Sequence, residues 1–354
     1  MHEVETLMYA GKTPWHGIGK YVGETRVTSA QAIQAAGLDW RVVKAKLSAT
    51  MPRAAAPAPD PCGGQVIQLR PAAPAIVQPT LEEIVSINDH VALVRDTDHA
   101  VLGIAGDGYQ PVQNVEAFTF MDGLVDEGLM TYEVAGSLKG GRRVFLLGKV
   151  GSVEVVPKDR VDQFIFFWNS HDGWSALRCF WTAVRVVCMN TARAALRQGV
   201  GEGITLRHTA GITGRLEDAK KVLGLAKTSF DETTELYRRL TGLTLTAAQW
   251  QDLAHVAIPD PEDEKVKTDR REEQRQVLAK LYVAGRGSAQ FPQTQGTGWA
   301  AYNAVTEYVT WEAPKRGENG AAQERRFEDA LVGPGAEMVQ RATEWLQDQL
   351  PLVA

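Results

Sequence analysis

The hydrophobic pattern changes period along this chain and so predicts its elements in order. Thr28-Ser29 is a helix-start pair and Gly37 a stop, giving a short helix over 29–36. Alternation over 40–47 predicts a strand, and two more, 91–95 and 101–104, flank the turn Asp96-Thr97-Asp98-His99. Asn114 is placed to cap an amphipathic helix carrying Phe118, Met121, Leu124 and Val125 and closed by Gly128. Strand-like runs then follow at 130–135, 143–150, 164–169 and 176–187. The turns Lys139-Gly140-Gly141 and His171-Asp172-Gly173 between them have hairpin chemistry. A helix is expected over 187–196.

From Gly214 the period becomes helical. Leu216, Ala219, Leu223, Ala226 and Phe230 step by three and four, and Pro259-Asp260-Pro261 interrupts the pattern. A charged segment, 262–276, leads into Val277, Leu278 and Leu281. A polar loop, 285–298, precedes a helix with Trp299, Tyr302, Val305 and Val309. After a second polar loop, 313–324, a last amphipathic helix carries Met338, Ala342, Trp345 and Leu346. There is no repeat of fixed period. Consecutive strands without intervening helices predict an α+β fold, an antiparallel meander flanked by helices with a helical C-terminal half. The expected divisions are an N-terminal segment (1–50) packing on the core, a Pro/Ala-rich linker or insertion (51–80), an α+β core (81–213) and a helical region (214–354). The loop 13–19 is read as carrying an aromatic anchor at Trp15.

Composition narrows the classes. With 354 residues, 44% hydrophobic and 23% charged, the chain is ordinary for a globular protein. Three cysteines, Cys62, Cys179 and Cys188, are too few and too scattered for a disulfide framework, so a reducing compartment is expected. No apolar run reaches the roughly 18 residues of a membrane span, and the acidic start lacks a signal pattern.

Chemical motifs are sparse. The seven histidines never pair at i, i+4 and there is no Cys-x-x-Cys, so no metal site is expected. The acidic pairs at 96–98 and 260–264 lack calcium-loop spacing. Gly136-Ser137-Leu138-Lys139-Gly140-Gly141-Arg142-Arg143 only approaches a phosphate-binding loop. Arginines stand where lysine and a hydroxyl are needed, and strands lie on both sides. Cys179 and Cys188 lie in apolar runs, where a thiol is inert. The cluster Asn169-Ser170-His171-Asp172 has acid–base groups but no nucleophile elbow, and Asp107, Glu116 and Asp122 have no diagnostic spacing. No catalytic residue and no cofactor are expected.

Charge segregation is the positive signal. The whole chain carries a net charge of −5, yet residues 138–215 hold twelve Lys/Arg against five Asp/Glu. The same window contains Phe164, Phe166, Phe167, Trp168, Trp174, Phe180 and Trp181. Cations that neutralise phosphates, interleaved with rings that stack bases at about 1–3 kcal/mol each, are what single-stranded nucleic acid requires. Alternating aromatics in strands are equally what a sheet core requires, and strand parity puts Arg178 and Arg185 on opposite faces unless a bulge intervenes.

Several segments together resemble one known group. They are Thr13-Pro14-Trp15-His16-Gly17-Ile18-Gly19, Gly106-Asp107-Gly108-Tyr109-Gln110-Pro111-Val112-Gln113-Asn114, Ala135 through Val144 (Ala-Gly-Ser-Leu-Lys-Gly-Gly-Arg-Arg-Val), and Ser170-His171-Asp172-Gly173. The remaining three are Val184-Arg185-Val186-Val187-Cys188-Met189-Asn190-Thr191, Arg207-His208-Thr209, and Thr297-Gly298-Trp299-Ala300-Ala301-Tyr302-Asn303-Ala304-Val305-Thr306-Glu307-Tyr308. In this order they resemble the phage/plasmid-like protein family, a domain of unknown function on phages, plasmids and prophages. That resemblance implies a mobile-element context and the cytoplasm of a bacterial host, and carries over no catalytic residue. The order helix, three-stranded meander, helix is in addition similar to the core of single-strand annealing recombinases of the RecT and Red-beta types, which need no ATP.

The expectation is a phage-encoded single-stranded DNA binding and annealing protein acting in recombination or replication without catalysis. Lys139, Arg142 and Arg143 would grip phosphates, and Arg178, Arg185 and Arg193 would extend the track. Trp168 or Trp174 would stack bases, with His171 beside them. The acidic helical half would serve homo-oligomer assembly or recruit a phage exonuclease or replication protein. The alternatives are a metal-dependent hydrolase or nuclease using His171, Asp172 and nearby carboxylates, or a non-enzymatic phage interaction protein.

Overall fold

The computed structural model describes residues 4–10, 19–23, 27–52, 82–185, 190–193, 204–212, 214, 226–261, 269–314, 325–326, 328–330 and 333–351. The aromatic loop at 13–18, the Pro/Ala-rich run from 53, the helical positions 216–223 and the charged run 262–268 lie outside the described residues, as do Cys62, Cys188 and Arg197.

The helix after Thr28 forms as the sequence predicts. In α1 (Ser29–Ala35) the Thr28 backbone N–H donates to Gln31 Oε1 at 3.0 Å, the Gln31 N–H returns to Thr28 Oγ1, and Gly37 at φ +61° ends the segment. The strand expected over 40–47 is longer, β3 (Val42–Pro52), so Met51 and Pro52 belong to a strand and not to the linker. It pairs antiparallel with β4 (Glu82–Arg95), which pairs with β5 (Val101–Gly106), making a three-stranded sheet. Helix α2 (Asn114–Asp126) is capped by Gln113 rather than Asn114. The Gln113 N–H donates to Glu116 Oε2 at 2.8 Å, while the Asn114 side chain turns inward.

The meander is β6 (Thr131–Leu138), β7 (Arg143–Val156), β8 (Asp159–Ser170) and β9 (Leu177–Arg185), each antiparallel to the next. β1 (Val4–Tyr9) extends it beside β6 and β2 (Lys20–Tyr21) lies beyond. The outer edge of β9 is shared by β10 (Asn190–Arg193) and β11 (Ile204–Leu206), completing an eight-stranded sheet. The helix expected over 187–196 is therefore corrected: residues 190–193 form a strand, because β9 offers an open ladder that their extended backbone completes.

Strand β8 explains the aromatic run. It is central, with every residue from Val161 to Ser170 buried, so both of its faces need apolar side chains. Ile165 and Phe167 join Val144, Leu146, Cys179 and Trp181 beneath α1, α2 and the three-stranded sheet. Phe164, Phe166 and Trp168 lie on the opposite face with Phe145, Leu147 and Phe180.

The helical half comprises α3 (Ala226–Gly242), α4 (Ala247–Ala257), α5 (Asp269–Ala284), α6 (Arg286–Gln290), α7 (Gly298–Glu307) and α8 (Pro334–Asp348). The loop expected over 285–298 thus contains a short α-helix and a 3-10 turn at Pro292–Thr294, and the helix after it runs on into a π-turn at Tyr308–Glu312. This half packs on the far end of the meander, where Val153, Val155, Val161 and Ala183 meet Leu240, Trp299 and Val305. Buried there, the Trp299 Nε1–H donates to Asp159 Oδ2 at 2.9 Å. No helix among the described residues is long and apolar enough to cross a membrane.

Candidate nucleic-acid interface

Two hairpin turns meet at one end of the large sheet. The β6–β7 turn spans 139–142, with Lys139 and Gly140 in the left-handed region, and the β8–β9 turn spans 171–176. The His171 N–H donates to the Arg142 carbonyl at 2.7 Å and joins them. The phosphate-loop-like stretch is therefore the end of β6, a hairpin turn and the start of β7, not a loop leading into a helix.

These turns bring together seven of the nine residues expected to touch nucleic acid. Arg142 and Trp174 are exposed, Trp174 at 86%. Arg178 is half-buried at the start of β9, opposite Trp168 in the ladder. Lys139 Nζ pairs with Glu328 Oε2 at 2.8 Å. Arg143 pairs with Glu328 and, through Nε at 3.3 Å, with Asp172 Oδ2, its guanidinium 5.6 Å from the Trp168 ring centre. Trp168 and His171 are buried beneath this surface. Trp168 is correspondingly not an accessible ring: its indole N–H points to Ser175 Oγ at 3.4 Å and its faces are packed in the sheet. Four cations against Asp172 and Glu328 leave a surplus of two positive charges at this end.

The other two positions lie elsewhere. Arg185 ends β9 opposite Val161, and Arg193 sits in β10 opposite Thr182. At about 3.3 Å per residue, Arg178 and Arg185 are roughly 23 Å apart. The β8–β9 pairing has no register shift, so no bulge brings them onto one face. A second basic group, Lys149 and Arg160, closes on Asp162 at 2.9 and 3.1 Å, with Ser152 also donating to that carboxylate. Though burial opposes ionisation, these partners hold Asp162 below the usual carboxylate range. The described cations at the two turns and those around Asp162 thus form separate groups and not one stripe.

Beneath the turns lies a buried polar scaffold. The Asn114 side-chain N–H donates to the Leu38 and Trp40 carbonyls, so its Oδ1 accepts from His171 Nε2–H at 3.1 Å. That assigns the neutral Nε2–H tautomer, and Nδ1 is left buried without a hydrogen bond. Burial, and then the neighbouring His208, push the His171 pKa down to about 3. His208 donates from Nδ1 to the Gln110 carbonyl at 3.2 Å and stacks on Tyr109, ring centres 4.7 Å apart. Burial lowers its pKa too. The Tyr109 hydroxyl donates to the Ser170 carbonyl at 2.6 Å, and Asn169 Nδ2 donates to the Val112 carbonyl at 2.9 Å. Asp172 is fully engaged: Ser170 Oγ and the Trp174 N–H reach Oδ1 while Arg143 takes Oδ2. That carboxylate sets the turn that projects Trp174. Among the described residues no three His, Cys, Asp or Glu side chains stand together as metal ligands.

Sequence reasoning did not foresee Tyr109, Asn114, Asn169 and His208 as one scaffold. The signal was present, because the segments 106–114, 135–144, 170–173 and 207–209 of the family resemblance all converge here. The three-stranded sheet locks on at the same place. At Gly103 an added Cβ would sit 2.5–2.7 Å from the backbone of Asp172. Gly103→Ala is expected to cost about 2–3 kcal/mol by forcing β5 off the turn, read as a lowered urea midpoint with unchanged slope.

The architecture defines an α+β protein whose meander ends in a cationic, tryptophan-bearing turn on a buried polar scaffold. Residues 101–332, about two thirds of the chain, match the model of a family described as a domain of unknown function (DUF932), and the chain belongs to that family. Comparison with curated proteins gives no match, and comparison with solved structures gives none.

Proposed function

We propose that this protein binds single-stranded DNA at the joined β6–β7 and β8–β9 turns, and that it acts in strand annealing during phage recombination or replication without ATP. The observation that carries this reading is Trp174, an indole 86% exposed beside Arg142 and Arg178 on a turn braced by Asp172. An exposed indole contributes nothing to the core and is free to stack, and every unpaired base offers it a face. The guanidinium groups beside it suit phosphates. The annealing part draws on the resemblance of the helix and meander to annealing recombinases. That resemblance is narrower than the sequence suggested, since β10 occupies the place of the second helix.

Anisotropy of a labelled oligonucleotide, titrated with the full chain at several salt concentrations, tests the reading. Two to four phosphate contacts predict a log–log salt slope of about −1.5 to −3. Trp174→Ala should weaken binding about 5- to 150-fold, the equivalent of one stacked base, and Arg142→Ala should reduce the slope by about 0.7. No binding at low salt, a flat salt response, or full affinity in Trp174→Ala would end the proposal. Binding without faster pairing of complementary strands would remove the annealing step alone.

A further inference from the structure

We infer that the outer face of the three-stranded sheet is where two copies of this chain pack together. Where β5 lies beside β4, one face of this sheet is core: Val42, Leu93, Leu102 and Ala105 point into the main cluster, while farther along, Ser48, Thr50 and Ile84 on that face are exposed. The other is apolar and open, with Val43, Met51, Val85, Val101 and Ile104 each 44–55% exposed and alanines between them.

The register explains how so many apolar residues share one side. On β3 the positions 43, 45, 47, 49 and 51 all point outward, as Val, Ala, Leu, Ala and Met. Their partners on β4 are Val94, Ala92, Ile87, Val85 and Glu83. Residues 88–90 are extra on β4, between the pairs Lys46–Val91 and Leu47–Ile87, and this odd insertion flips its parity. Without it, Val85 and Ile87 would face opposite to Ala92 and Val94. A second shift does the same on β5, where Leu93 pairs with Gly103 but Val94 with Val101, so Val101 and Ile104 both turn outward. Both irregularities build the same apolar face, whose ionisable paired positions are Glu83 at one tip and His90, opposite Gly106 and 3.1 Å from Asp89, at the other.

A contiguous apolar patch of this size is at the upper end of what a lone protein exposes and marks a contact surface, and without Lys or Arg it does not suit a polyanion. Its dimensions fit a second copy. Eleven paired positions on β3 and β4 and six on β5, at about 3.3 Å along and about 4.8 Å between strands, give a footprint of about 450 Å². Two such faces bury about 900 Å² across a two-fold axis, the size of a weak, reversible interface. Uniformly apolar faces match themselves, and two sheets stack about 10 Å apart with strands nearly aligned.

Light scattering after size exclusion tests this without any nucleic acid. The full chain should show twice the 38.7 kDa monomer mass, and Val101→Glu or Ile104→Glu should return the monomer, weakening association about 100-fold or more. Ile84→Glu is the control: Ile84 is 73% exposed but pairs with Thr50 on the opposite face, so its variant should stay dimeric. Circular dichroism melts report whether each variant folds, and Val43→Thr, which keeps strand shape, should weaken association about 10-fold if a glutamate variant does not fold. A monomeric wild-type chain overturns the inference, as does a dimer indifferent to positions 43, 101 and 104. Trp174→Ala should remain dimeric, so the two proposals fail separately.

Discussion

Trp299→Ala is expected to lower stability by about 3–5 kcal/mol. Trp299 is buried where the helical half meets the sheet, its ring 4.9 Å from Tyr237 and 5.6 Å from Tyr302 between centres. Truncation removes the largest side chain at that junction and a donor to the buried carboxylate of Asp159. Trp299→Phe separates the two contributions, since it keeps most of the packing and loses only the hydrogen bond, a cost nearer 1–3 kcal/mol. Both are read from urea unfolding. A Trp299→Ala cost below about 1 kcal/mol would mean that this junction does not hold the two halves together.

Stability should also fall as pH drops from 6.5 toward 4.5, before the carboxylates titrate. His171 has its folded pKa pushed down to about 3 against an ordinary 6.5, and His208 is shifted in the same direction. A depressed histidine stays neutral in the native state while the unfolded chain takes up the proton. The stabilisation of the neutral form is complete above 6.5 and is lost below it, at about 1.4 kcal/mol per pH unit for each fully shifted histidine. The check is the urea midpoint at half-unit intervals. A flat profile across that window would show that both rings are protonated in the native state. His171→Asn retains a donor toward Asn114 and should reduce the slope.

The meander was legible because its strands alternate and its turns carry glycine. The cap at Thr28, the stops at Gly37 and Gly128, and the long C-terminal helices were legible for similarly local reasons. The strand at 190–193 was not, because a short segment takes its form from the ladder it completes, and β9 lies outside any local window. The aromatic run over 164–168 pointed to stacking and to a core alike. Only the central position of β8 decides for the core, leaving Trp174 as the ring in water. Of the cations, those on the two hairpin tips were found together because turns sit at strand ends. Arg185 and Arg193 were separated by strand length and pairing, which a count of charges does not contain.

By itself the amino-acid sequence determined the α+β class, most of the element order, the excess of positive charge in the middle of the chain and a likeness to a domain family of unknown function, since each rests on local period or on ordered motifs. Tertiary structure alone decided which rings and cations face water, how four distant segments build the scaffold under one turn, and that two register shifts gather an apolar face. Exposure and convergence are properties of pairing between residues far apart in the chain, and side-chain parity reverses with a single inserted residue in a strand.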